Sequence, residues 1–291
     1  MARDNGESIT RQNLTNHGEK IMKIKLIALI MAILLMIPLF STGCGSILVT
    51  KDGEKDSGSS ETKTFDFTEF TRVEIGSAFE YEIRQADNYS IVITAGSNEL
   101  DDISVTQSGE TLNIHVRFPG ISWSLFNLHR KMTAVITMPF LEGLESSGAA
   151  RGTVSGFESN ESLDILASGA STIRFDDIVC GNLEFDISGA SSVRGDFEAK
   201  DIDMQVAGAS TVNIEGSADD VDMNISGAST VKMEDMKIDN ADVLLSGASR
   251  GIINLNGTLD VNLSGASTLE YIGEPTLGSS YITGASTLKK K

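Results

Sequence analysis

From about residue 160 the chain alternates apolar and polar residues in short bursts that return every twenty residues or so. Each burst ends at a small-residue corner of the type Ser-Gly-Ala-Ser. The corner glycines are Gly148, Gly169, Gly189, Gly208, Gly227, Gly247, Gly265 and Gly284, at successive spacings of 21, 20, 19, 19, 20, 18 and 19 residues. Counting from each glycine, positions −6, −4 and −2 read Leu163/Ile165/Ala167, Leu183/Phe185/Ile187, Ile202/Met204/Val206, Val221/Met223/Ile225, Ala241/Val243/Leu245 and Leu259/Val261/Leu263. Beyond the glycine, +4 and +6 repeat the pattern in Ile173/Phe175, Val212/Ile214, Val231/Met233 and Leu269/Tyr271. Period-2 alternation is the mark of a half-buried strand, so two short strands flank each corner.

A unit of twenty residues cannot bury its apolar stripe alone, whereas a neighbour stacked ~4.8 Å away covers it. The pattern therefore predicts an all-β fold, a right-handed parallel β-helix (a solenoid) of ~20-residue coils spanning 147–288. Glycine suits the corner because it takes φ > 0 without a Cβ clash. A Cβ at Gly208 or Gly227 would meet the coil above. Apolar residues do not recur at i, i+3, i+4 here, which argues against helices, and a propeller blade needs about 40 residues. Residues 64–146 lack the corner word but alternate through Phe70, Val73, Ile75, Phe79, Tyr81 and Ile83, then Ile91/Ile93, then Leu112/Ile114/Val116. They read as irregular early coils or a β-rich N-terminal cap. At the other end Pro275 and Lys289, Lys290 and Lys291 read as protection for the last strand edges.

Ahead of the strands, Lys23 and Lys25 flank the apolar run from Leu26 to Phe40, followed by Ser41-Thr42-Gly43-Cys44. This is a signal peptide over 1–44, with Met22 the expected start, ending in small residues before a cysteine. It resembles a bacterial lipoprotein signal, which implies lipidation of Cys44 and attachment to a membrane. Ser41 stands where such signals carry leucine, and the alternative is an uncleaved anchor from Leu26 to Val49. Both place the repeats in the bacterial cell envelope, outside the cytoplasmic membrane or on the outer membrane. Residues 45–63 are rich in Gly, Ser, Lys and acids and read as a flexible tether. Two cysteines leave no disulfide framework, and Cys180, alone in a repeat, reads as a small buried apolar residue.

The strands from Phe70 to Ile83 with Gln85, the approach Thr137-Met138-Pro139 and Leu141-Glu142-Gly143-Leu144, and the run of corners together resemble the family called putative auto-transporter adhesin head, GIN domain. The resemblance covers about residues 64–288. It implies a secreted or lipid-anchored β-helical protein, and it transfers no catalytic residues.

Charge adds one candidate feature. The formal net charge is −18, which argues against nucleic acid as a partner. Position −5 is acidic in six consecutive coils: Asp164, Glu184, Asp203, Asp222, Asp242 and Asp260. It points outward, so stacking aligns the carboxylates in a column where neighbours ~4.8 Å apart repel by ~0.9 kcal/mol in water. Two readings stand: a face that binds Ca²⁺ or a cationic ligand, or a solvated face that keeps an exposed sheet from sticking. One carboxylate per coil falls short of the six to eight oxygens that Ca²⁺ takes. A second acidic column at +7 (Asp176, Asp196, Glu215, Glu234) is partly neutralised by Arg174, Arg194 and Lys232 at +5. Serine and threonine columns at −1, +2 and +3 read as hydroxyl ladders about the corner or as a surface for sugars or ice-like water. The segment Ile121 to Leu128 holds the sole tryptophan, Trp123, and reads as part of the cap or as a binding loop.

Catalytic motifs are poor. Ser229–Lys232 and Ser286–Lys289 match Ser-x-x-Lys, but through the repeat's own grammar. His17, His115 and His129 have no metal-ligand spacing. The expectation is a non-enzymatic, adhesin-like envelope lipoprotein that touches surface glycans or other envelope proteins. The alternative is a polysaccharide-active β-helix enzyme, which would need a cleft between loops projecting from the coils.

Overall fold

A computed structural model describes residues 60–117 and 131–291. Cys44, residues 45–59, Trp123 and His129 lie outside these. The chain enters at β1 (Ser60–Phe65), which begins within the stretch expected as tether. β2 (Arg72–Ile75) and β3 (Glu80–Gln85) make a first coil. β4 (Ser90–Gly96) and β5 (Ile103–Ser108) leave the stack, β6 (Thr111–Val116) and β7 (Thr133–Met138) rejoin it, and β8 (Gly143–Ser146) and β9 (Arg151–Ser155) open the regular coils. Then come β10 (Leu163–Ala167), β11 (Thr172–Val179), β12 (Leu183–Ile187), β13 (Ser192–Glu198) and β14 (Asp201–Val206). β15 (Thr211–Ile225) and β16 (Thr230–Leu245) run unbroken through the return side and so serve two coils each. β17 (Arg250–Leu255), β18 (Thr258–Leu263), β19 (Thr268–Ile272), β20 (Thr276–Ile282) and β21 (Thr287–Lys290) complete the chain.

Parallel pairing joins like positions of successive coils without slippage across the pre-corner strands from β10 to β18, and the register shifts between β18 and β20. Ile165 faces Phe185, then Met204, Met223, Val243 and Val261 in turn. The expected alternation is borne out: these side chains are buried in one continuous core. Within it the Phe197 ring lies tilted against Phe175 and edge-to-face against Phe185, with ring centroids 5.1 and 5.6 Å apart. From Gly148 to Gly284 the solenoid completes seven turns of about twenty residues.

At the corners the backbone itself stacks. Every repeat glycine has positive φ, from 70° to 82°. The following alanine N–H donates to the glycine carbonyl one coil earlier, as in Ala190 to Gly169 and Ala209 to Gly189, both 2.8 Å. A Cβ on Gly169 would fall 2.6 Å from the Gly148 carbonyl oxygen, and Gly208 and Gly227 are equally closed off by Gly189 and Gly208. The obstruction is the backbone of the adjacent, preceding coil. The serine at +2 turns inward: Ser171, Ser191, Ser210, Ser229, Ser249 and Ser267 are all buried. Several of these hydroxyls find partners inside the corner, Ser210 donating to the Ala207 carbonyl at 2.9 Å and Ser249 to that of Ser246 at 2.8 Å. They are out of reach of sugars or an ice-like lattice.

The N-terminal part is both coil and cap. The β2–β3 coil turns at Ser77, a non-glycine with φ 66°, whose carbonyl accepts the Ala149 N–H at 2.6 Å. The corner column therefore starts one coil before the first corner word. Its neighbours are not its sequence neighbours: β2 lies between β6 and β8, and β3 between β7 and β9. Beyond β6 and β7 the pairing turns antiparallel, with β5 on β6, β4 on β7 and β1 on β4. These strands close that end of the stack.

Candidate functional site

Two flat faces flank the corner column. On the pre-corner face the predicted acidic column exists in register: Asp164, Glu184, Asp203, Asp222, Asp242 and Asp260 are successive cross-strand partners. They project outward because −6 and −4 are buried on either side of them. Partial loss of water, followed by the charges of Asp164, Asp203 and Asp186, pushes the Glu184 carboxyl above the usual carboxylate range. Asp242 is raised for the same first reason, with Asp222 and Asp260 adding to it.

Other elements terminate the column at both ends. At the N-terminal end Gly143 takes the −5 place, and the Arg72 side chain lies over it where a side chain would otherwise stand. Its guanidinium donates to Asp164 Oδ2 at 2.9 Å and to the Glu142 carbonyl at 3.3 Å. At the far end Asp260 Oδ1 accepts from the Ser279 backbone N–H and, at 2.6 Å, from its hydroxyl. These bonds hold the Asp260 carboxyl below its usual range. Neither partner is visible from the strand that carries the acid.

The face is wider than one column. Glu74 and Glu145 are cross-strand partners two residues along from Arg72 and Gly143, and Asp186 stands at −3 beside Glu184. Loss of water and then Glu74 push Glu145 upward, and loss of water raises Asp186. A shallow groove of about 180 Å³ runs between Arg72, Glu74, Thr111, Glu145 and Leu166. Asp186 was legible as an acid at an outward position. Glu74 and Arg72 were not, because they belong to the coil inserted out of sequence order. Among the described residues no three His, Cys, Asp or Glu side chains converge closely enough to hold a metal ion. The column is a line of carboxylates and not a cage.

The post-corner face mixes charge, as expected. Arg174 Nε donates to Asp176 at 2.7 Å. Arg250 and Lys289 converge on Glu270 Oε1 at 2.6 and 3.1 Å, and Lys291 pairs with Glu234. The hydrogen bond from Lys289 and the nearby cations hold Glu270 below its usual range, although its side chain is covered. A groove of about 80 Å³ lies over Gly195 between Arg174, Arg194, Asp196 and Glu215.

The weak catalytic matches are not assembled. Ser229 is buried while Lys232 points to the opposite side of the sheet. Ser286 Oγ bonds Ser267 Oγ at 3.2 Å, while Lys289 serves Glu270. His115 is exposed on β6. Burial pushes the Cys180 thiol up to about 11, which keeps it protonated. No helix among the described residues is long and apolar enough to cross a membrane.

Solved structures share this architecture. A putative adhesin from Parabacteroides merdae superposes with TM-score 0.72 at 16% identity, covering 80% of this chain and 97% of its own. A protein from Parabacteroides distasonis, described as a putative lipid binding protein, gives 0.70 at 16% identity, covering 80% and 97%. A putative adhesin from Bacteroides fragilis gives 0.60 at 20% identity, covering 82% and 100%. At these identities the likeness is one of fold. Among curated proteins none matches in sequence. The sequence family described as putative auto-transporter adhesin, head GIN domain, matches residues 69–275, from the start of the first coil to the turn before β20, and the chain belongs to that family.

Proposed function

We propose that this protein is a non-enzymatic lipoprotein of the bacterial cell envelope, attached to a membrane through Cys44, whose solenoid works by surface contact in adhesion or scaffolding. The observation that carries this reading is the chemical sameness of the coils. Like residues recur at like positions over six coils on the acidic face, whereas catalysis needs unlike groups converging on one reacting centre. The hydroxyl and thiol with the most nucleophilic promise, Ser229 and Cys180, are in the core. Membership of an adhesin-head family supports the same reading.

Two measurements test it. Fatty-acid labelling in bacteria should mark the wild-type chain, and Cys44→Ser should abolish the label and leave a heavier precursor. Unchanged processing in that variant favours the uncleaved anchor. The purified chain should also bind envelope surfaces or glycans without cleaving them. Release of oligosaccharides would overturn the reading in favour of a polysaccharide-active enzyme.

A further inference from the structure

We infer that the post-corner face over Gly195 is a carbohydrate site, seating a neutral linear polysaccharide that runs along the stack with one sugar ring to each coil. The inference deepens the reading above, that the solenoid acts by surface contact, and rests on it. Outward residues of this face fall into columns that keep one chemical character through four coils. Hydroxyls stand at +3 in Thr172, Ser192, Thr211 and Thr230, in cross-strand register. Hydrogen-bond donors stand at +5 in Arg174, Arg194, Asn213 and Lys232, in the same register. The carboxylates at +7 make a third column, in which Asp196 and Glu215 are direct partners. None of these side chains is buried.

The middle of the face is built unlike the rest of the repeat. At +6, where Phe175 and Ile214 are buried in the flanking coils, β13 has Gly195. A Cβ there would fall 2.6 Å from the Phe175 Cβ and 2.7 Å from its carbonyl oxygen, so the coils keep this approach only without a side chain. The groove of about 80 Å³ lies over this position. Pairing shifts register on both sides of it, between Phe175 and Ile178 and between Asn213 and Gly216. Asp177 at the first shift is held at φ 55°, and Asp235 at the second lines the groove. Irregularities of this kind re-aim side chains and gather at binding sites. Arg174 already serves Asp176, whereas the Arg194, Asp196 and Asn213 side chains make no hydrogen bond or ion pair among the described residues.

Period and charge select the occupant. The rows recur at ~4.8 Å, whereas an extended peptide advances ~3.3 Å per residue and returns a side chain to one face only every ~6.6 Å. A sugar ring in an extended chain advances by about one rung, so a glycan stays in step with the coils over several units. Its hydroxyls donate and accept at once, and the face offers them hydroxyls, donors and carboxylates side by side. Polyanions are disfavoured, because acids outnumber cations around the groove and the chain carries −18. A cationic peptide finds a better surface in the acidic pre-corner face. The groove is far below the ~300 Å³ of an enclosed ligand pocket, so it seats one ring substituent while the polymer lies on the flat sheet. Single contacts are weak, and many copies on one surface act together.

Calorimetric titration of the full-length chain in detergent with neutral β-linked gluco-, xylo- and manno-oligosaccharides tests the site. For at least one series we expect affinity to rise from monomer to tetramer, one ring for each of β11, β13, β15 and β16, and to level off beyond it. The tetramer should bind with a Kd of about 0.1–1 mM. Arg194→Ala or Asn213→Ala should weaken it at least fivefold at an unchanged melting temperature, because both side chains are exposed. Asp222→Asn, on the other face, should not. Binding that ignores chain length, or that both alanine variants leave intact, would overturn the inference. A preference for polygalacturonate that salt abolishes would do the same, since the arginines would then act as a charge patch. A wild type that binds none of the three series but still adheres to envelope surfaces overturns the carbohydrate site and leaves the contact reading standing. Release of shorter oligosaccharides would overturn both.

Discussion

At the corner two demands fall on one carbon position. The backbone needs φ near +75°, and a Cβ there would run into a carbonyl oxygen that is already accepting a hydrogen bond. Valine at Gly208 meets both penalties, since β-branched residues are strained at positive φ and the corner cannot open without breaking the Ala209 N–H bond to Gly189. Overpacking of this kind costs about 1–3 kcal/mol on top of the backbone strain, so Gly208→Val should lower the melting temperature by roughly 5–15 °C. A thermal melt within a degree or two of wild type would show that the stacked corner is wrong. Ala209→Ser, on an exposed neighbour, should leave the melt nearly unchanged. Cys180 offers a quieter probe: buried and held protonated, it should ignore a water-soluble thiol reagent at pH 7 until the chain unfolds. Fast labelling of the native protein would mean that its coil opens.

Within one strand the sequence was nearly sufficient. Alternation named the buried residues of the pre-corner strands β10, β12, β14 and β18 and those just after the corner in β11, β15 and β16, but not Val193 and Phe197 of β13 or Ile253 and Leu255 of β17, and the constant offset from glycine aligned the six acids. It failed where the partner comes from elsewhere in the chain. Arg72 reaches Asp164 across 92 residues, and Ser77 takes the glycine place at a corner written Gly76-Ser77-Ala78, with the order of the usual Ser-Gly-Ala changed. The consequence of the aligned acids is measurable. Repulsion between exposed charges is screened over ~10 Å at 0.1 M salt, so raising NaCl from near zero to 0.1 M should raise the melting temperature. Replacing Asp203 and Asp222 together by Asn removes the middle of the column and should remove part of that gain. Millimolar Ca²⁺ should do no more than NaCl of equal ionic strength, because the carboxylates form a line and not a cage. Extra stabilisation by Ca²⁺ that the double variant loses would establish a cation site. A wild type indifferent to both salts would contradict the register itself.

Across the whole molecule, topology was the least legible property. Local pattern identifies a coil but not its place in the stack, and nothing in β2 or β3 says that β6 and β7 will pass beneath them before β8 and β9 cover them. That arrangement gathers Glu74, Glu145 and Arg72 onto the same face as the column, and it decides how stability responds to acid. Glu145, Glu184, Asp186 and Asp242 have carboxyls raised by loss of water and, for all but Asp186, by neighbouring acids. The folded chain therefore binds their protons more tightly than the unfolded chain does. Their contribution to stability falls as pH rises from the ordinary carboxylate range through the raised values. Asp260, Glu234 and Glu270 are shifted the other way by Ser279, Lys291 and Lys289. Their stabilisation is complete above the ordinary carboxylate range and is lost only as pH falls below it. The two sets act in adjacent windows, so the melting temperature should rise as pH drops from 7 towards about 5 and fall again below about 4, with the ordinary carboxylate values near 4 as the divide. Glu184→Gln, which removes a raised carboxyl from the middle of the crowd, should flatten the rise and leave the acid limb in place. A melting temperature that declines steadily from pH 7 downward would mean that ion pairs, and not the crowded acidic face, govern the charge balance of this solenoid.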